Sequence, residues 1–315
     1  MRRLKISDNI PMKVAVIIPC LNESAAIAKV VRECRIYLAQ ADIYVLDNGS
    51  EDDTAQEAVK AGAQVIHSPQ RGKGNVLRHA FRVIDADYFV MIDGDGTYPV
   101  KEAPRLLALA EECNYEMVMG SRLKLGKPEA FRPLHYMGNR ILTGLVKLLF
   151  GFPVQDLLTG YRVFSRRFTQ EVHLISHGFE IETELTIRAM AQNLAFCEVP
   201  ISYGERAEGG ISKLRTFRDG WKILLTIFRF LAYFRPLLFF STLSVTAFSA
   251  SLFLTSEVRP ALELVSALLL TLAFSLDFLL HHRLLRRSPR GVKDSLRPES
   301  VARSVSGPPG RRDSA

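Results

Sequence analysis

Tyr88-Phe89-Val90-Met91-Ile92-Asp93-Gly94-Asp95-Gly96 decides the fold: an apolar run stops abruptly at two carboxylates one residue apart. Five consecutive apolar residues bounded by turn formers read as a strand buried on both faces. The same pattern recurs upstream. Val14 to Ile18 is a continuous apolar run ending at Pro19, and Ile43 to Leu46 ends at Asp47-Asn48-Gly49-Ser50. Helical signals lie between: Ser24 as an N-cap for a helix to about Ala39, an acid-rich start over Ser50 to Asp53, and a helix from Arg71-Gly72-Lys73-Gly74 to about Ile84. A short strand at Val65-Ile66, a helix over 101–113 and a strand at Met117–Met119 continue the series. Alternating β and α elements predict an α/β, Rossmann-like, mostly parallel sheet with right-handed crossovers. Ligands gather at the carboxyl ends of strands in such sheets, where Asn22-Glu23, Asp47–Ser50 and Asp93–Asp95 all fall. Further on, 134–150 and 180–193 read as helices, and 161–164 and 196–203 as strands.

Charge is unevenly placed. The chain of 315 residues carries +8, but His281 to Ala315 holds nine Lys or Arg against three Asp or Glu, a net of +6, which leaves +2 for the rest. The high pI belongs to the tail, which argues against a nucleic-acid footprint on the folded part. Cys20, Cys34, Cys113 and Cys197 lack metal or redox spacing and read as reduced core thiols. The basic start, Met1 to Lys5, has no apolar segment after it and does not read as a signal peptide.

Two apolar runs, Pro236–Leu254 and Leu262–Leu280, approach the ~20 residues that a spanning helix needs. The short turn between them predicts a transmembrane hairpin. Before it, 213–235 is basic and aromatic (Lys213, Arg218, Trp221, Lys222, Phe228, Arg229) and suits an interfacial amphipathic helix. Lys and Arg crowd both outer flanks, whereas the turn has only Arg259. The positive-inside rule then puts both termini and the α/β domain in the cytoplasm. Residues 281–315 read as a basic, disordered tail suited to anionic lipid. The expected domains are therefore 1–212, 213–235, 236–280 and 281–315.

Asp93 and Asp95 flank Gly94 at a strand end and can both turn to one Mg²⁺ or Mn²⁺, hard ions that take oxygen ligands and retain diphosphate oxygens. Asp47 can accept hydrogen bonds from a base or ribose, or close an Asx-turn; Glu23 is similarly placed. Arg71-Gly72-Lys73-Gly74 can bring a cation and bare backbone to a nucleotide, although it is no P-loop. Glu182 and Glu184 are the nearest candidates for a general base and read as structural or orienting.

Pro19-Cys20-Leu21-Asn22-Glu23, Asp47-Asn48-Gly49-Ser50, Arg71-Gly72-Lys73-Gly74 and Asp93-Gly94-Asp95-Gly96 resemble, in order, the nucleotide-sugar half of family 2 glycosyltransferases. Gly120-Ser121-Arg122, then Asp156-Leu157-Leu158-Thr159-Gly160-Tyr161-Arg162, then Arg206 with Gly210-Ile211-Ser212-Lys213, look like its polyprenyl-phosphate branch, which includes dolichyl-phosphate mannose synthases. The resemblance implies a GT-A fold and inverting transfer from a nucleotide sugar to undecaprenyl or dolichyl phosphate, for glycan assembly or protein glycosylation. It makes Asp93 and Asp95 the metal ligands, with Arg122 and Lys213 beside them in catalysis. It puts Pro19, Asn22, Glu23, Asp47, Asn48 and Gly49 around the nucleoside. Arg71, Lys73, Gly94, Arg140, Arg162, Arg206 and Ser212 complete the expected substrate contacts. Two departures stand out: Asn48 replaces a second acid, and Thr97 replaces the Gln that mannose synthases often carry, which weakens a mannose assignment and leaves UDP-hexose, UDP-HexNAc and GDP-mannose donors open. A phosphate acceptor is already anionic, so no general base is required. The rival readings are a processive polysaccharide synthase (whose Gln-x-x-Arg-Trp is not matched at Trp221), transfer to a non-phosphorylated membrane lipid such as diacylglycerol, and an inert membrane adaptor that keeps the fold.

Overall fold

The computed structural model describes residues 12–123, 133–204, 213 and 216–287. Arg206, Gly210, Ile211, Ser212 and the tail from Ser288 lie outside the described residues. The chain divides into two compact units, Met1–Phe239 and Phe240–Ala315.

The first unit is built on a seven-stranded sheet. Its strands are β1 (Val14–Cys20), β2 (Asp42–Asp47), β3 (Gln64–His67), β4 (Tyr88–Met91), β5 (Met117–Ser121), β6 (Arg162–Ser165) and β7 (Phe196–Pro200), in the order β3-β2-β1-β4-β6-β5-β7. Helices α1 (Ser24–Tyr37), α2 (Thr54–Ala61), α3 (Lys73–Val83), α4 (Ala103–Glu112), α5 (Pro133–Phe150), α6 (Arg166–Glu171), α7 (Ile181–Ala191) and α8 (Thr216–Phe234) cover its faces. The period of two sorts each strand. Ile17, Met91 and Met119 pack into one apolar cluster, while Val16, Ile18, Val90 and Val118 pack into the other. Pro19 is tolerated in central β1 because it lies beyond the last β1–β4 pair, Ile17↔Met91.

One strand departs from the β-α alternation. β6 runs antiparallel to both β4 and β5, pairing Met91 with Arg162 and Met119 with Arg162. The chain thus enters the sheet at the carboxyl end of β4, which lays the preceding loop, Asp156–Tyr161, beside the acids that follow that strand. Ser24 is not the N-cap expected of it: Glu23 holds that position, and the Ser24 N–H donates to Asp52 Oδ2 at 3.1 Å. α6 was not expected, although Ser165 caps it by accepting from Phe168 N–H at 3.1 Å. The thiols also divide: Cys20 and Cys34 are buried, whereas Cys113 is exposed and Cys197 is half-buried.

α8 is part of this unit. Ile223, Ile227, Phe230 and Leu231 recur at helical spacing and join the core against α5 and α7. Its opposite face exposes Phe217, Trp221, Leu225 and Phe228, and α5 exposes Met137, Ile141 and Leu148. Pro236 ends α8, because a residue before proline is pushed out of the helical region. The Arg235 guanidinium then ties the break to Phe150 O at 3.0 Å.

The second unit holds α9 (Pro236–Ser251) from Phe240 on and α10 (Arg259–Arg287), joined by a short turn. Small polar residues sit between them. Ser244 Oγ donates to Ser266 O at 2.8 Å, and Ser266 Oγ donates to Ser244 O at 3.0 Å. Large apolar residues, including Val245, Leu264, Leu268, Phe274 and Phe278, face outward. This is the reverse of a water-soluble helix pair and matches the small-residue, polar contacts of helices packed in lipid. Residues Arg259–Leu280 are long and apolar enough to cross a membrane. α9, with 16 residues, spans about 24 Å and does not reach that length by itself.

Candidate active site

The acids after β4 are fixed by their neighbours. Asp95 Oδ1 accepts from Thr97 N–H at 3.0 Å and from Thr97 Oγ at 2.6 Å, so the Thr97 that departs from the mannose-synthase pattern orients one of the two acids. A side chain on Gly94 would bring Cβ within 2.4 Å of Cys20 Sγ, so Gly94 lets the turn press against β1. A Cβ on Gly160, in the loop before β6, would stand 2.4 Å from Asp93 Oδ2. Tyr98 Oη holds that loop by accepting from Gly160 N–H at 2.8 Å.

A buried cation completes the arrangement. Lys73, the first residue of α3, donates through Nζ to Asp93 Oδ1 and to Glu182 Oε1, each at 2.6 Å. Burial alone would lower this ammonium's pKa, but the two carboxylates outweigh burial and hold it above its ordinary value. Lys73 is therefore charged at neutral pH. Glu182, in the first turn of α7, is the orienting group that the sequence suggested, and Glu184 is likewise structural: its carboxylate accepts from Ile175 and Ser176 N–H and pairs with Arg188 at 2.6 Å.

The ends of β1 and β2 form the next part. Asn22 takes φ +53°, and its Oδ1 accepts from Glu51 N–H at 2.7 Å. Lys213 Nζ donates to Asn22 O at 3.0 Å and lies 3.6 Å from Glu23 Oε1, so these three gather at one edge. Asp47 is nearly buried. Its Oδ1 closes the Asx-turn with Ser50 N–H at 3.1 Å, and its Oδ2 meets His67 Nδ1 at 3.1 Å. Burial would raise this carboxyl, but the hydrogen bonds from Ser50, His67 and Gly49 outweigh it and hold it below the usual range. Asn48 does work that no acid could do: Oδ1 accepts from Gly72 N–H at 2.6 Å while Nδ2 donates to Gln70 O at 2.9 Å. Arg71 is exposed and reaches Gly49 O and Glu51. The glycines of this loop do not offer bare backbone to a ligand as expected. A Cβ on Gly72 or Gly74 would strike the main-chain oxygen of His177 or Ser176, and Gly74 N–H already donates to His177 O at 2.9 Å.

Three expected arginines are placed differently. Arg162 is fully buried, and all five of its N–H groups are engaged: Nε on Thr159 O, Nη1 on Thr186 Oγ and Met117 Sδ, Nη2 on Leu157 O and Glu182 O. It braces the loop before β6 and has no donor left for a substrate, which corrects its expected role. Arg122 is held at both ends by buried Asp156 (Nε–Oδ2 and Nη2–Oδ1, both 2.8 Å), donates to Leu158 O at 2.7 Å, and faces the Tyr203 ring at 5.3 Å. Burial would raise Asp156, but the guanidinium outweighs burial and keeps the carboxyl below its ordinary value. Arg140 is exposed on α5, where its Nη1 donates to Tyr136 Oη at 3.3 Å.

Asp93, Gly94, Asp95 and Lys73 thus converge with the β1 and β2 edges at the carboxyl end of the sheet. Among the described residues no group of three or more Asp, Glu, His or Cys could hold a metal ion. Two carboxylates fit a hard cation whose other ligands are diphosphate oxygens and water, because the donor set is all oxygen and few protein ligands are needed. His67, Tyr98 and Gly160 escaped the sequence reading. Tyr98 and Gly160 sit within or beside motifs that were read, but nothing in spacing reveals which side chain they touch.

The chain is similar to known proteins. The chain is 34% identical over 243 residues to glycosyltransferase AglJ of Haloferax volcanii, covering 77% of this chain and 80% of that protein. It is 33% identical over 207 residues to the dolichyl-phosphate hexose transferase of the same organism, covering 65% and 88%. Among solved structures, glucosyl-3-phosphoglycerate synthase from Mycobacterium tuberculosis, in complex with Mn²⁺ and UDP-glucose, superposes with a TM-score of 0.57 at 23% identity over 69% of this chain and 79% of that one. That likeness establishes the fold as GT-A-like. The family model described as glycosyl transferase family 2 matches residues 15–172, and with these relatives it makes the chain a member of that family.

Proposed function

We propose that the protein transfers a hexose or N-acetylhexosamine from a nucleotide sugar, most simply a UDP-sugar, to a polyprenyl phosphate, with inversion. The observation that carries this reading is the paired Asp93 and Asp95 at the end of β4, with a buried ammonium at Asp93. A divalent cation held by the two acids would offset the charge that grows on the departing nucleoside diphosphate. Lys73 adds a fixed positive charge and keeps Asp93 in place. Asn48 and Asp47 shape the turn that faces the nucleoside, and Lys213 closes it over Asn22. An oxygen of the acceptor phosphate attacks the anomeric carbon as the bond to the diphosphate oxygen breaks, and the diphosphate leaves with the electron pair. The attacking oxygen carries no proton, so the step requires no general base. Positioning two anions a few Å apart costs roughly 1–4 kcal/mol per charge pair at surface-like dielectric, which the cation and the basic residues offset.

The exposed apolar faces of α5 and α8 and the inside-out packing of α9 and α10 support a membrane acceptor. In this reading the two helices form a hairpin anchor with both ends and the catalytic unit on the cytoplasmic side, and the relative named as a dolichyl-phosphate hexose transferase supports a polyprenyl-phosphate acceptor. The lipid-linked sugar would then feed glycan assembly or protein glycosylation. A panel of acceptors tests it: purified full-length protein with UDP-glucose, UDP-GlcNAc or GDP-mannose, and undecaprenyl phosphate, dolichyl phosphate, dolichol or diacylglycerol. Product on a phosphorylated lipid alone is expected. Product on dolichol or diacylglycerol, with none on either phosphate, overturns the acceptor assignment.

A further inference from the structure

A basic cavity lies along α3 and the residues that follow β3. It measures about 360 Å³ and is lined by Ser68, Pro69 and Gln70 together with Asn75, Arg78, His79 and Arg82 of α3. Residues 75, 78, 79 and 82 stand roughly 140–240° around α3 from Lys73, at 100° per residue, so the cavity faces away from Asp93. Its charge is unbalanced: among the described residues neither Arg78 nor Arg82 has a carboxylate partner. Arg78 is held by neutral acceptors, Leu174 O at 3.4 Å, His177 Nδ1 at 3.1 Å and Asn75 Oδ1. Arg82, one turn on, makes no such contact and is exposed. Between them His79 Nδ1 is buried with no hydrogen-bond partner among the described residues. Helix-end attraction does not account for the site, because the N–H groups of Gly74 and Asn75 are already taken by His177 O.

We propose that this cavity binds a small phosphorylated anion, of diphosphate or sugar-phosphate size, separately from the donor held at Asp93 and Asp95. Two guanidinium groups one turn apart present planar forks that suit phosphate oxygens. Ser68, Asn75 and Gln70 supply neutral donors around them, and the His79 imidazole lines the same cavity. The inference stands apart from the identity of the sugar and the acceptor. The test is calorimetric titration of inorganic pyrophosphate into full-length protein in detergent, with a chelator present so that no divalent cation can recruit the probe to Asp93 and Asp95. Saturable binding is expected in the wild type and in Asp95→Asn. Arg82→Gln should weaken it roughly tenfold or more, as the loss of a charged hydrogen-bond partner implies. Arg78→Gln with Arg82→Gln should abolish it. Arg82→Gln removes no hydrogen bond or ion pair among the described residues, so its result stands even if the double variant is unstable. No binding in the wild type, unchanged binding in Arg82→Gln, or loss of binding in Asp95→Asn would each overturn the proposal.

Discussion

Gly160→Ala isolates the position of a single carboxylate. The new Cβ would stand 2.4 Å from Asp93 Oδ2 and 2.9 Å from its Cγ and Oδ1, where contacts shorter than 3.4 Å are already tight. Relief therefore requires about 1 Å of movement. Gly160 is absent from the glycines with positive φ, so alanine fits the backbone there. The clash is with the end of a side chain, so the carboxylate swings and the fold stays. Asp93 cannot swing freely, because Lys73 holds Oδ1 at 2.6 Å. A misplacement of about 1 Å at a catalytic group costs roughly 100-fold in rate, or about 2.7 kcal/mol. We expect kcat/KM for sugar transfer to fall by about that factor, while the melting temperature shifts by only a few degrees. The assay is initial-rate transfer of radiolabelled sugar to polyprenyl phosphate, with thermal unfolding in parallel. Activity within threefold of the wild type would refute the reasoning, since Asp93 would then not need the position that Gly160 allows.

Lys73→Met leaves Glu182 buried without its cation, so it should destabilise the protein by about 3–5 kcal/mol in chemical denaturation, and Lys73→Met with Glu182→Leu should recover most of that loss. Arg162→Lys replaces five satisfied donors by three and should cost about 2 kcal/mol or more of stability without raising the KM for the acceptor phosphate; a raised KM with stability intact would restore Arg162 to the substrate site. Asp156 has a depressed folded pKa, so its pairing with Arg122 contributes stability that is fully present above the unfolded value of about 3.9 and is lost as pH falls from there through the folded value. Asp156→Asn should flatten that acid limb in unfolding measurements from pH 6 to 3.

The sheet was legible wherever a strand is buried on both faces, because β1, β2 and β4 are apolar runs that end in polar turns. The direction of β6 was not legible: Arg162-Val163-Phe164-Ser165 is too short to carry a directional signal, and only tertiary pairing with β4 reverses it. The acid pair could be read for the same reason as the strands, since its position follows from the end of β4. The arginines could not, since the residue type is the same whether the partner is a ligand phosphate or the main-chain oxygens around Arg162. Gly72 and Gly74 show the same limit: a glycine records that something comes close, and here it is the Ser176–His177 backbone.

The central claim is that Asp93 and Asp95 together hold a cation that binds the donor next to a lipid phosphate. Mn²⁺ titrated into the protein with UDP present, followed by the loss of free-ion EPR signal, tests it most directly. The account predicts one bound Mn²⁺ in the wild type. In Asp95→Ala it predicts binding lost together with at least a 100-fold drop in sugar transfer, in line with the several kcal/mol that such an ion supplies. Full turnover in Asp95→Ala, or Mn²⁺ bound as tightly as in the wild type, would contradict it.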